Sequence, residues 1–261
     1  MSVRSFLKAT LHKFGLYEHP SFITAAIAGL PSGWRDPKAV WKYAQTCRQY
    51  LALVNRELVE DILLYPSLGE ATPTTPMDLT YFYQDTWAAK QVFRFQPQKV
   101  VDIGSTGLLV GIISQFCRTI SVDIRPLTVS LPGLECRRGS LLDLPFPDAS
   151  FEFITSMCVL EHVGLGRYGD PVDPHAIFKA AAELVRVLAP GGILVASVMA
   201  GPPCVAFNAH RVITREEFLR LFPGFKLEEE IFIRDAILPG DPSENYKTGD
   251  HYVYGACMRK P

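Results

Sequence analysis

The 261-residue chain has no excess of charge of either sign: 26 Lys and Arg stand against 27 Asp and Glu, a formal net charge of -1. This balance offers no electrostatic case for nucleic acid, whose phosphates require a basic face or stripe, and nucleic acid is not an expected partner. Paired cysteines are missing too. Cys47, Cys117, Cys136, Cys158, Cys204 and Cys257 are scattered, with no CxxC and no metal-ligand spacing, so reduced, mostly buried thiols are expected and no metal site. No window approaches the roughly 18 consecutive apolar residues of a membrane span, and the N-terminus has no continuous apolar core of a secretory signal. A cytoplasmic location is the expectation. What is present is an ordinary globular composition, 48% apolar and 20% charged, in a length that suits one α/β domain with an accessory segment.

Residues 1–16 place Val3, Phe6, Leu7, Leu11 and Phe14 at helical spacing between Arg4, Lys8, His12 and Lys13; an amphipathic helix packed on the protein is preferred to a membrane-surface anchor. After a turn-rich stretch, Ala39 to Leu64 reads as a helix with one buried face. Pro66 to Pro76 is a loop, and Leu79 to Phe93 a further helix. Residues 1–95 are thus expected as a helical arm, and 96–261 as the main domain.

From Lys99 apolar strands alternate with helices: strand 99–103, helix 107–117, strands 119–123, 134–138 and 151–157, helix 174–188 stopped by Pro190-Gly191-Gly192, and strand 192–199. Arg215–Leu221, Phe225–Ile233 and His251–Met258 follow as helix, strand and strand, the last two closing the sheet edge. Alternation of this kind predicts a Rossmann-like, mostly parallel sheet with helices on both faces.

The stretch Val100-Val101-Asp102-Ile103-Gly104-Ser105-Thr106-Gly107 ends an apolar strand in an acid and a small-residue turn, the place where such a sheet presents its ligand. Asp102 sets it apart from a dinucleotide loop, since a carboxylate there repels pyrophosphate, and the GxGxxG spacing of a nicotinamide-dependent dehydrogenase is absent. An acid at the strand tip suits a cation. Gly104 and Gly107 allow close backbone approach, Ser105 lies in the same turn, and a helix starting near Gly107 can receive a carboxylate. Asp123 ends the second strand about 20 residues on, the position that bonds ribose hydroxyls, and Ile124 can lie on a base. An amino-acid-bearing sulfonium nucleoside fits these groups.

The series VDIGSTG, SVDIRP, LLDLPFPDASFEFI, VLEHV and ELVRVLAPGGILVAS resembles the class I S-adenosylmethionine-dependent methyltransferases, near the ubiquinone-biosynthesis-type small-molecule group. YFYQDTWAAKQ, EHVGLGRYGDPVDP and FNAHRV resemble an uncharacterised bacterial branch often associated with polysaccharide-related genes. The resemblance implies seven strands in the order 3-2-1-4-5-7-6 with strand 7 antiparallel, and S-adenosylmethionine as cofactor on Asp102, Gly104, Ser105, Gly107 and Asp123. Two departures stand out. The glycine turn is shortened, and Ser140 replaces the acid many relatives use for the adenine amino group, leaving the Ser140 hydroxyl and the Leu141 N–H to meet the base.

Methyl transfer from a sulfonium is a displacement, for which the protein supplies alignment and, for a hydroxyl acceptor, a base. His162 and His210 are the base candidates. Glu161, Arg167, Tyr168, Asn208 and Arg211 are expected around a small-molecule or glycan-precursor acceptor. Tyr81, Tyr83, Gln84 and Trp87 of the preceding helix are the candidates to cover the methionine end, with Tyr83 preferred. Asp170, Asp173 and His175 carry no metal-site signature and read as turn and cap residues, with Asp173 capping the helix that Pro174 starts. Two readings compete: a catalytically retired binding or scaffold protein on the same fold, and a dehydrogenase. Homo-oligomerisation is left open.

Overall fold

The computed structural model describes residues 36–53, 67–68, 70–242 and 250–261. Two compact units divide the chain, residues 1–76 and 77–261. In the first, helix α1 (Pro37–Leu53) buries Val40 and Ala44, one turn apart, and exposes Trp41, Tyr50 and Leu51. The expected amphipathic helix over 1–16 and the helical stretch from 54 to 64 lie outside the described residues.

The second unit opens with α2 (Leu79–Phe95), capped by the Asp78 carboxylate, which accepts the Tyr81 N–H. Then follow β1 (Lys99–Ile103), α3 (Gly107–Ile113), β2 (Arg118–Asp123), β3 (Leu134–Arg138), β4 (Phe151–Met157), α4 (Ala176–Val187), β5 (Leu188–Ala200), β6 (Cys204–Ala206), β7 (His210–Val212), α5 (Arg215–Arg220), β8 (Lys226–Ile233) and β9 (Tyr252–Arg259). Seven strands form one sheet in the order β3-β2-β1-β4-β5-β9-β8. The first five are parallel, and β9 runs antiparallel to both β5 and β8. This is the Rossmann-like order that the resemblance implied.

Both faces of the sheet are covered, which is why β1 reads as a nearly continuous apolar run. Val101 and Ile103 enter the core shared with Ile177, Leu184 and Phe218. Val100, one residue out of phase, enters the core with Trp87, Val92, Leu109 and Ile113. By the same alternation Asp102 lies on the α2 and α3 face.

Helix α2 belongs to the sheet unit, whereas the sequence groups it with residues 1–95. Its fastening is polar as well as apolar: Glu229 on β8 accepts from Trp87 Nε1 at 3.0 Å, Lys90 Nζ at 3.0 Å and Arg94 at 3.1 Å. Pro190-Gly191-Gly192 does not stand between helix and strand as expected. Val187 already ends the helix, and the triplet sits in a bulge of β5, where the pairing with β4 shifts between Phe151↔Leu188 and Phe153↔Ile193. Gly191, at φ +75°, supplies the left-handed residue there. The Lys260 ammonium donates to the carbonyls of Val185 and Leu188, each at 2.7 Å, and so closes the end of α4.

The two-stranded β6–β7 hairpin was not anticipated. Among the described residues no helix is long and apolar enough to cross a membrane.

Candidate active site

Strand order reverses between β1 and β4, and a cleft lies at the carboxyl ends of the strands around that point, the switch-point position where open α/β sheets bind ligands. Its cavity measures about 180 Å³ and opens to solvent. Of the residues expected around a cofactor, Gly104, Ser105, Asp123, Ile124, Ser140 and Leu141 line it, as do His162 and Tyr168 from the acceptor set.

The turn after β1 is shaped for close approach. Gly104 sits at φ +73°, and a Cβ there would lie 2.9 Å from a Val159 methyl; its N–H bonds the Val122 carbonyl at 2.9 Å. The Ser105 hydroxyl accepts the Met157 N–H at 3.0 Å, joining the turn to the end of β4. Thr106 caps α3 by accepting the Leu109 N–H and donates to Asp85 of α2 at 2.6 Å. On the neighbouring strand Asp123 Oδ1 accepts the Arg125 N–H at 2.6 Å, while Oδ2 carries no bond to another described residue. The Ser140 hydroxyl oxygen is committed to its own turn, accepting the Leu142 N–H at 3.1 Å.

Asp102 does not reach the cleft. It is fully buried, accepting the Thr155 hydroxyl at 2.7 Å and the Ser105 N–H at 3.2 Å. Burial pushes its pKa up to about 6, moderated by those bonds. The carboxylate therefore braces the turn from beneath, because strand alternation turns it toward α2. Gly107 also lies off the lining; a Cβ there would meet Leu127 at 3.3 Å, so its role is close packing. Tyr83 packs against the core on the α2 face, and Tyr81 is the α2 residue that lines the cleft.

His162 has the environment of a base. Its Nδ1 lies 2.6 Å from the Ala209 carbonyl, so that nitrogen carries the hydrogen and Nε2 keeps its lone pair. Burial lowers its pKa, and the Arg167 and His210 charges lower it further against the raising effect of the Ala209 bond. His210 lies 6.3 Å away, ring to ring, off the cleft lining, with Nε2 buried and unpartnered.

The remaining acceptor candidates divide. Arg167 donates to the Ala209 carbonyl at 3.1 Å and lies over the Tyr168 ring, 5.0 Å from its centroid. Arg211 is buried and spends its guanidinium on the carbonyls of Val163, Asp173 and Pro174. Asn208 is not among the cleft residues. Glu161 is wholly enclosed: Oε1 accepts the Met199 N–H at 3.3 Å, Oε2 has no partner, and burial raises its pKa to about 7.

Asp170 ties the 164–170 loop by accepting the Gly164 and Tyr168 N–H groups. Asp173 accepts the His175 N–H at 2.9 Å and pairs with Lys179, but α4 begins at Ala176 and the cap position is His175. Among the described residues no group of three His, Cys, Asp or Glu is placed to hold a metal ion.

Arg125 and Cys158 are among the cleft residues that escaped the sequence reading, which named Tyr81 but preferred Tyr83. Arg125 follows Asp123 and stacks on Tyr168, 4.2 Å from the ring centroid. Cys158, at φ +53° just after β4, directs its thiol to Gln84 Oε1 at 2.8 Å. Tyr81 is set apart from Tyr83 by helix phase alone, since two positions along a helix turn a side chain by about 200°.

Residues 146–233 match the model of a family described as a Caenorhabditis protein of unknown function, DUF268. A demethylmenaquinone methyltransferase of Thermus thermophilus is 29% identical over 140 residues, which span 49% of this chain and 57% of that protein. Among solved structures, the [4+2]-cyclase SpnF is similar with a TM-score of 0.52 at 16% identity, covering 68% of this chain and 81% of the cyclase. A Galdieria sulphuraria protein provisionally described as a sarcosine dimethylglycine methyltransferase is similar with a TM-score of 0.51 at 16% identity, covering 69% of this chain and 86% of that one. The fold is thus shared with methyltransferases and with a cyclase, and on this fold the chemistry is decided by the site.

Proposed function

We propose that this chain is an S-adenosylmethionine-dependent methyltransferase acting on a hydroxyl of a small-molecule or glycan-precursor acceptor. The observation that carries the reading is the convergence of Gly104, Ser105, Asp123, Ile124 and Leu141 on one cleft at the switch point. The donor set suits the cofactor. Asp123 Oδ2 would take ribose hydroxyls, Ile124 and Leu141 would flank the adenine, and the Gly104–Ser105 backbone, cleared of any Cβ at Gly104, would lie along the methionine portion beneath Tyr81.

The chemistry that a bound S-adenosylmethionine supplies is an electrophilic methyl on a positive sulfur. His162 would accept the acceptor's hydroxyl proton at Nε2, and the Ala209 carbonyl holds its ring in the required tautomer. Tyr168 would form part of the acceptor's wall. The Thermus relative supports methyl transfer through its described activity. The glycan part rests on the resemblance of the GLGRYGDPVDP and FNAHR segments, and a cytoplasmic setting on the missing apolar segments.

Isothermal titration with S-adenosylmethionine tests the core of the proposal. Wild-type protein should bind it, and Asp123→Ala should weaken binding by the equivalent of a charge-assisted hydrogen bond, about 1.5–3 kcal/mol. No binding, or unchanged binding by the variant, overturns it. The likeness to a cyclase favours one second reading, a chemistry on this fold without methyl transfer; release of S-adenosylhomocysteine with candidate acceptors separates the two.

A further inference from the structure

Two guanidinium groups share the ring of Tyr168, which lines the cleft with Arg125, while Arg167 stands beyond the lining. Arg125 Cζ lies 4.2 Å and Arg167 Cζ 5.0 Å from the centroid of Tyr168. Like charges brought to one ring repel each other, and the ring quadrupole offsets only part of that repulsion. Here neither guanidinium forms an ion pair with any described residue; Arg167 has a single bond to the Ala209 carbonyl, and the side chain of Arg125 has only the ring.

The nearby acids face other groups, although one oxygen of Asp123 stays unbonded to any described residue. Asp170 is held by the Gly164 and Tyr168 N–H groups, and Asp123 Oδ1 by the Arg125 main chain. The positive charge of Arg167 is felt around it: after burial it contributes to the lowered pKa of His162, where Asp170 opposes it, and, after His251, to that of His210.

From this arrangement we infer that the acceptor is anionic, carrying a phosphate or carboxylate that Arg125 and Arg167 grip across Tyr168. Guanidinium is the side chain best suited to this, since its planar fork donates two parallel bonds to either anion. The ring restrains each fork, so less side-chain freedom is lost on binding than by two free arginines. Tyr168 and Arg125 line the same cleft as His162, so an acceptor held by its anionic end would present its remainder beside the base. This inference rests on the methyltransferase reading for the word acceptor; the anion site itself does not.

The test uses the full chain and pyrophosphate as probe, titrated calorimetrically with and without saturating S-adenosylhomocysteine. Pyrophosphate should bind, and Arg125→Gln and Arg167→Gln should each weaken it at least fivefold. Arg167→Lys, which keeps the charge and loses the fork, should fall between. Arg48→Gln, an equal change of charge at an exposed position of α1, should bind as wild type. Absence of pyrophosphate binding, equal binding by the Arg125→Gln and Arg167→Gln variants and wild type, or an equal loss in Arg48→Gln overturns the inference. Failure of S-adenosylhomocysteine to bind while the arginine-dependent pyrophosphate site persists overturns the methyltransferase reading alone.

Discussion

Thr155 and Asp102 sit opposite each other in adjoining parallel strands, both fully buried, and the threonine hydroxyl donates to the carboxylate at 2.7 Å. The second oxygen of that carboxylate accepts the Ser105 N–H, so a side chain of β4 indirectly sets the turn that faces the cleft. Thr155→Val keeps the shape and removes the donor. We expect a loss of about 1–3 kcal/mol in urea denaturation and a drop in Tm of about 2–4 °C per kcal/mol for a chain of this size. The Asp102 carboxyl, followed by carbon NMR, should titrate above the value of about 6 that it has with Thr155 in place. An unchanged titration would show that the hydroxyl does not support the carboxylate.

Much of this architecture was legible because strands covered on both faces leave apolar runs, as Val100-Val101 of β1 and Ile193-Leu194-Val195-Ala196 of β5 show. The site was legible less evenly. An acid at the end of β1 can be read from the sequence, but whether it faces the cleft depends on pleat and on what β4 places opposite it, here Thr155. The β6–β7 hairpin has strands of three residues, too short to show alternation. Arg125 gains its meaning only from Tyr168, more than 40 residues later, and no local pattern joins them.

Gly104 combines a left-handed φ of +73° with a Val159 methyl 2.9 Å from where a Cβ would stand. Gly104→Ala should therefore cost about 1–3 kcal/mol from backbone strain, with an added steric cost because Val159 is β-branched and stiff. Under the proposed function the same substitution should weaken S-adenosylhomocysteine binding, since the displaced turn forms the floor of the cleft. Calorimetry and denaturation of one variant measure both. A stable variant with unchanged affinity would remove this turn from the binding site.

Glu161 gives a pH prediction of definite sign. Burial raises its pKa from 4.5 to about 7, so between those values the folded chain holds a proton that the unfolded chain has released. Stability then falls as pH rises through this window, and the full loss, up to about 3 kcal/mol, is present above pH 7. Glu161→Gln should make the profile shallower between about pH 4.5 and 7, leaving the slope from Asp102 below about pH 6, and be the more stable protein at pH 8. Urea midpoints across that range decide it. A variant profile as steep as wild type would place the titration elsewhere.

Glu229 joins α2 to the sheet through three donors, Trp87, Lys90 and Arg94. Its side chain is 28% exposed, while those of Lys90 and Arg94 are 63% and 44% exposed, so the two ion pairs contribute little. The bond to the nearly buried Trp87 indole is the larger part. Glu229→Gln should keep most of the stability by still accepting from Trp87, and Glu229→Ala should lose about 1–3 kcal/mol. Equal losses in the two variants would assign the effect to charge instead.

His162 and His210 are both held below the ordinary histidine pKa of 6.5, first by burial and then, in each, partly by the positive charge of Arg167. Their imidazoles should titrate below 6.5 in proton–nitrogen NMR spectra, leaving both neutral at pH 7 and His162 able to accept a proton. Arg167→Gln removes one repelling charge while burial remains, so both midpoints should move upward without passing far above 6.5. Under the proposed function the pH dependence of methyl transfer should follow His162: the rate rises as the imidazole loses its proton, and in Arg167→Gln that rise moves to higher pH. A midpoint for His162 that ignores Arg167 would separate the arginine electrostatically from the base, and the shift of the rate profile would then be absent as well.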